Sequence, residues 1–165
     1  PNSVAIEFDT FDNGSGDGNS SNAVGVDVDG SLTSILLANP YGVVTCDFGA
    51  NTYTQSGCMA NGDVWTATIG YDGTKLTVNV QDGANPAQTI ISNYGIDISS
   101  YLGTNTAYVG FTIATGAGWE NHDILDWRFA NDTSLAPTAN VPEPATFALF
   151  GLGLVGIKLG RRRLR

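Results

Sequence analysis

At 165 residues the chain can hold one domain with a sizeable core. Its 21 glycines, sparse charge and abundant Thr, Asn and Ser suit a turn-rich all-β fold better than a helical one. The net charge of −9 is unevenly spread: Lys158, Arg161, Arg162, Arg163 and Arg165 crowd the end, and before Pro142 the only cations are Lys75 and Arg128. Such an acidic body has little to neutralise phosphates with, which argues against nucleic-acid binding, and it attracts divalent cations instead.

Taken in order, the chain opens on a two-residue period. Val4, Ile6 and Phe8 alternate with Ala5, Glu7 and Asp9, so a half-buried strand carries two carboxylates on one face. Those carboxylates repel unless a cation or a proton lies between them. The strand runs into Asn13-Gly14-Ser15-Gly16-Asp17-Gly18-Asn19, a turn-forming loop rich in oxygen. Asp9, the backbone carbonyl of Phe11, Asn13 and Asp17 offer hard donors of the kind Ca²⁺ takes at a strand end completed by water. The same composition also describes an acidic, solvated loop.

Residues 23–29 alternate again, with Val24, Val26 and Val28 on one face, and Asp29-Gly30 marks a turn. Residues 31–38 read as a strand or an irregular crossing. Residues 39–63 read as loop, with a short strand around 43–48. Trp65, Ala67 and Ile69 then share a side, Tyr71-Asp72-Gly73 turns the chain, and Leu76, Val78 and Val80 point inward on the return. A turn over 82–86, a short strand over 88–91 and a connecting segment over 96–102 follow. Strands are expected over 107–114 (Val109, Phe111, Ile113) and 124–130 (Leu125, Trp127, Phe129). With no 3.6-residue period before Thr133, these elements imply a sandwich rather than βαβ units.

The run Glu7-Phe8-Asp9-Thr10-Phe11-Asp12-Asn13 closed by Asp17 resembles the metal-and-sugar loop of the legume-type (L-type) lectins. So do Val24-Gly25-Val26-Asp27, the hairpin after Trp65, and Val109-Gly110-Phe111 with Ile124-Leu125-Asp126-Trp127. The resemblance implies a concanavalin-like antiparallel β-sandwich, or jelly roll, over residues 1–131. That domain is expected to be incomplete at its N-terminus, because the family's first strands and part of its sugar site lie upstream of this motif. It also implies Asp9, Phe11 through its carbonyl, Asn13 and Asp17 as calcium ligands. Asn13 becomes a sugar-contacting amide, Phe11 the ring beneath the sugar, and the backbone N–H groups of Ala117 and Gly118 donors to sugar hydroxyls. A planar amide can bond vicinal hydroxyls and an aromatic face can cover a pyranose, so these roles are physically sound.

One departure bears on the metal. The family's second, transition-metal site uses a His just before the G-[IV]-D strand, and Ala23 stands there. Glu7 remains as a candidate second-metal ligand, but without imidazole a transition metal is disfavoured and calcium alone is expected. Trp119 reads as an aromatic platform or a loop anchor, Glu120 as structural, and His122 as a surface residue rather than a ligand.

Residues 132–141 form a polar linker. Residues 142–165 hold Pro142-Glu143-Pro144, an apolar run over 145–159 and the Arg cluster. That order resembles the PEP-CTERM sorting signal of Gram-negative bacteria. The resemblance implies export, a C-terminal apolar helix acting as a transient membrane anchor, recognition by an exosortase, and an association with exopolysaccharide. Cys46 and Cys58 read either as a bridge or as two unrelated thiols, and the export implied by the tail favours the disulfide.

The function expected is a non-enzymatic, calcium-dependent carbohydrate-binding module at the bacterial cell surface or in the extracellular matrix. Its partners would be glycans or exopolysaccharide, the sorting machinery and, by family habit, a second copy in a homodimer. One alternative is a structural or adhesive surface protein with a calcium-stabilised loop. Another is a glycoside hydrolase of similar fold, which Glu7 and Asp9 fit in part; no second Glu stands where the proton donor belongs, and Asp12 occupies that place as a conceivable substitute.

Overall fold

Strand β1 (Val4–Asp9) pairs antiparallel with β2 (Ala23–Val28), setting Val4 opposite Val28, Ile6 opposite Val26 and Phe8 opposite Val24. β3 (Leu36–Ala38) adds to the far side of β2, giving the order β1-β2-β3. A second antiparallel sheet has the order β4-β5-β6, from Trp65–Tyr71, Lys75–Asp82 and Gln88–Gly95. This computed structural model describes residues 2–46, 55–115 and 120–131. It divides into two compact units, Pro1–Asp123 and Ile124–Arg165.

The sheets meet through one core in the first unit. Val24, Val26 and Val28 of β2 join Leu76, Val78 and Val80 of β5, with Ile91 and Ile96, all buried. Burying each such side chain contributes about 1.5–3 kcal/mol, so the alternation seen in both strands is what holds the sheets together. The β4–β5 turn forms as its chemistry requires. Gly73 takes φ 97°, and Asp72 Oδ1 accepts from the N–H groups of Thr74 (2.8 Å) and Lys75 (2.7 Å). Those donors hold the exposed Asp72 carboxyl below its ordinary range.

Cys46 and Cys58 are joined in a disulfide with Cα atoms 5.9 Å apart, as the exported reading favours. Several elements differ from the sequence expectations. β6 runs on to Gly95, and the segment after it contains a short helix, α1 (Ile98–Leu102). Asp97 caps α1 by accepting from Ser100 N–H, and Gly103 ends it at φ 66°. No strand forms over 43–46.

Residues 107–114 and 124–130 form no ladder among the described residues, and Tyr108, Val109, Ile113, Leu125 and Phe129 are exposed. Alternation specifies a face, whereas a strand also needs a neighbour for its backbone groups. In the second unit Trp127 and Phe129 stack with centroids 6.3 Å apart, and Arg128 pairs with Asp126 at 2.9 Å. Ala117, Gly118, Trp119, the linker, the Pro142-Glu143-Pro144 signal and the apolar run lie outside the described residues. Among the described residues no helix is long and apolar enough to cross a membrane.

Candidate functional site

The antiparallel register fixes what faces what at the end of β1. Ala5 stands opposite Asp27, Glu7 opposite Gly25 and Asp9 opposite Ala23, so Glu7, Asp9 and Asp27 share the sheet face that points away from the core. Gly25 is required here. A Cβ on it would fall on Ser34 Oγ and lie 3.4 Å from Glu7 Oε2. Ser34 fills that space and donates to Asp27 Oδ1 at 2.5 Å.

Crowding shows in the acidities. Burial first, then the carboxylates of Asp27 and Asp9, a hydrogen bond with Asp27, and Asp17 push Glu7 up from its ordinary value to about 7. Asp9 is also raised, chiefly by burial, although the N–H groups of Phe11 and Thr10 pull it back. No Lys or Arg is among the groups that perturb Glu7 and Asp9.

Beyond β1 the loop folds on itself. Asp9 Oδ1 accepts from Phe11 N–H (3.0 Å), Asp17 Oδ2 accepts from Asn13 N–H (2.7 Å), and Asn13 Nδ2 lies 3.4 Å from the Phe11 carbonyl. The four residues picked out in the sequence are therefore gathered at the end of β1 and on the loop that follows it, and are interlocked. Gly14, at φ 93°, starts a single 3-10 turn over Ser15–Asp17, and Gly18 closes it in the left-handed region. Phe11 is 46% exposed and Asn13 is exposed beside it, so a ring and an amide both face solvent.

Among the described residues no three His, Cys, Asp or Glu side chains cluster as metal ligands. The set gathered here has a different make-up: two carboxylates, a backbone carbonyl and a side-chain amide. All are hard oxygen donors, which suits calcium and not a transition metal. Ala23 is fully buried opposite Asp9 and supplies no ligand at the place where an imidazole would be needed. Asp12 turns its carboxylate back onto Gly14 N–H at 2.7 Å.

The sequence pattern gave no role in the site to four neighbours of the loop. Asp27 and Ser34 complete the acidic face, and the period-two alternation that places Asp27 with Glu7 would have found the first of them. Glu120 accepts from Thr10 Oγ1 (2.5 Å) and pairs with His122 Nε2 (2.7 Å), which ties a remote segment to the residue after Asp9. Asn22, which precedes Ala23, is 0% exposed. A polar residue in a polar stretch gives no sign of that.

The legume lectin domain family model matches residues 2–145, and a PEP-CTERM protein-sorting motif matches residues 140–163. The chain belongs to the legume lectin domain family. It is 35% identical to the L-type lectin-domain containing receptor kinase SIT2 of Oryza sativa subsp. japonica, over 87% of this chain and 21% of that protein. It is 33% identical to a lectin-like protein of Arabidopsis thaliana, over 77% of this chain and 47% of that one. With L-type lectin-domain containing receptor kinase V.9 of the same plant it shares 36% identity, over 76% of this chain and 18% of the kinase. The chain thus spans about a fifth of the length of these kinases and about half that of the lectin-like protein. A legume lectin domain implies carbohydrate binding, and the sorting motif implies export.

Proposed function

We propose that this protein is a calcium-dependent carbohydrate-binding module exported to the bacterial surface, where it engages glycans or exopolysaccharide without catalysis. The observation that carries the reading is the interlocked loop, in which Asp9, Phe11, Asn13 and Asp17 are tied together while the Phe11 ring and the Asn13 amide stay exposed. Asp9, Asn13, Asp17 and the Phe11 carbonyl would hold the ion, and bound calcium would fix the loop before the sugar arrives. Less ordering entropy is then lost on binding. Asn13 would bond adjacent hydroxyls and Phe11 would cover the apolar face of the ring. Ala117 and Gly118 are proposed as backbone donors to the same sugar. A second metal on Glu7 is not expected, because Ala23 brings no imidazole. Pro142-Glu143-Pro144 is proposed as the point at which an exosortase processes the tail, after the apolar run has served as a transient anchor.

The test is a glycan array probed with calcium and again with a chelator. Calcium-dependent capture of a defined sugar, abolished by Asn13→Ala with the melting temperature unchanged, is the expected result. A blank array with a melting temperature that still rises on calcium would replace this reading with that of a structural surface protein. Capture that survives Asn13→Ala would move the sugar site elsewhere.

A further inference from the structure

The loop over residues 10–19 is bonded mainly to itself, so its position depends on where its two legs enter the body. One leg is β1. The other is Ser20-Ser21-Asn22, which is buried although every residue in it is polar. These three residues are bonded to the two stretches of chain that the disulfide joins. Ser20 Oγ donates to the Val44 carbonyl (2.8 Å), Ser21 N–H donates to the same carbonyl (3.0 Å), and Ser21 Oγ accepts from Cys46 N–H (2.9 Å).

Asn22 makes the most complete connection. Its Nδ2 donates to the carbonyls of Val43 (2.9 Å) and Gly57 (2.8 Å), and its Oδ1 accepts from Met59 N–H (2.9 Å). Every donor and acceptor of the side chain is therefore used, and its partners flank both cysteines. Gly57 carries φ 84°, and a Cβ there would lie 3.1 Å from Tyr41 and Val43. Only glycine lets the backbone come this close. On the other side, Asn22 leads directly into Ala23, the ladder partner of Asp9.

We infer that Asn22 is a positioning residue for the calcium-binding loop, and that it transmits to that loop the order imposed by the Cys46–Cys58 disulfide. This rests on the reading of the loop as a calcium site. The side chain does not face the ion; it fixes the return leg, and through Ala23 the register of Asp9, so that Asp9 and Asp17 are held at one separation. A ligand set preorganised in this way binds more tightly; groups bonded directly to a ligand contribute about 10–100-fold to metal affinity, and Asn22, one connection further out, should contribute at the lower end of that range.

The experiment compares the full chain with Asn22→Ala, the Cys46→Ser/Cys58→Ser double variant and their combination. Calcium titration by calorimetry is read beside amide hydrogen exchange of residues 9–19 in calcium-free protein. Each change should weaken calcium about tenfold and speed exchange at Phe11, Asn13 and Gly14. The combination should be no worse than either alone, because both act through one connection. A lowered melting temperature with calcium affinity and loop exchange unchanged would mean that Asn22 is merely structural, and would overturn the inference; so would fully additive losses. Should the cysteine variant not fold, Ser21→Ala loosens the same tether by one hydrogen bond and is read in the same two ways, a shift in both supporting the inference and no shift in either overturning it. If the unaltered chain shows no response to calcium, the calcium reading itself falls, and the exchange of the loop amides still decides whether Asn22 positions them.

Discussion

Asp82 offers the sharpest quantitative test of how the sheet and the disulfide segment are joined. It ends β5, is 0% exposed, and among the described residues no ion pair reaches it. Its carboxylate is instead satisfied by three neutral donors: Oδ2 accepts from Gly57 N–H (2.7 Å) and Asn85 Nδ2 (3.2 Å), and Oδ1 accepts from Asn61 Nδ2 (3.0 Å). Asn61 cannot turn over to suit a changed partner, because its own Oδ1 already accepts from Asp63 N–H (2.9 Å) and Trp65 Nε1 (3.2 Å). Asp82→Asn therefore sets an NH₂ group against a donor on one side or the other. A hydrogen bond to a charged group contributes about 1.5–3 kcal/mol, and relief from burying a charge offsets part of its loss, leaving a net cost of about 1–3 kcal/mol. Asp82→Ala keeps no acceptor at all. At about 1–3 kcal/mol for each buried donor left without a partner, Gly57 N–H and Asn61 Nδ2 bring the cost to about 2–6 kcal/mol. Urea unfolding of the oxidised protein checks both values. A loss below about 1 kcal/mol for Asp82→Ala, or a larger loss for the asparagine than for the alanine, would refute the reasoning.

The other expectations use the same kinds of contact. Replacing both cysteines by serine opens a loop with a sequence separation of 12 and should cost about 3 kcal/mol, read as a lower urea midpoint that reductant no longer changes. Gly25→Ala should destabilise by pushing Ser34 off Asp27, at about 1 kcal/mol for the hydrogen bond lost. Pairing it with Ser34→Gly should recover part of the strain on thermal melting, and no recovery would sink that account. Asp97 is held below its ordinary 3.8 by Ser99 Oγ–H first and then Ser100 N–H. A folded pKa below the unfolded one gives stability that is present above pH 3.8 and lost as pH falls through the folded value. The difference in urea midpoint between wild type and Asp97→Ala should accordingly hold steady from neutral pH downward and close only in strong acid. A difference that closes near pH 6 would be inconsistent with this.

Period-two alternation was enough to read the strands that build the core. It set Val24, Val26 and Val28 on one face and Leu76, Val78 and Val80 on another, which the structure packs into one core; a one-residue slip would turn each set to solvent. The Asp72-Gly73 turn was equally legible, since its chemistry is local. The same signal misled over 107–114 and 124–130, where the alternation is as clean but no neighbouring strand lies among the described residues. Periodicity does not encode a partner. The residues proposed as loop ligands lie on the border between these cases. Asp9, Phe11, Asn13 and Asp17 stood out through their spacing, and the hydrogen bonds among them are short enough in sequence for spacing to foreshadow.

What holds that loop in place was not legible, and the reason is general. Asn22, Asp82 and Asn61 are polar residues in glycine-rich stretches, and such residues are normally solvated. Their burial depends on partners 21 to 37 positions away, as with the Val43, Gly57 and Met59 contacts of Asn22. A buried amide is tolerated only if all its hydrogen bonds are made. Three polar partners must then be held in one geometry at once, a condition that the disulfide meets from one side and β5, through Asp82 and Gly57, from the other. Hydrophobic pattern thus builds the sandwich, while a sparse set of fully satisfied polar groups decides where the acidic loop sits on it. Substitutions at Val78 and at Asn22 should accordingly part company. The first lowers stability throughout the molecule, and the second also changes what the loop can bind.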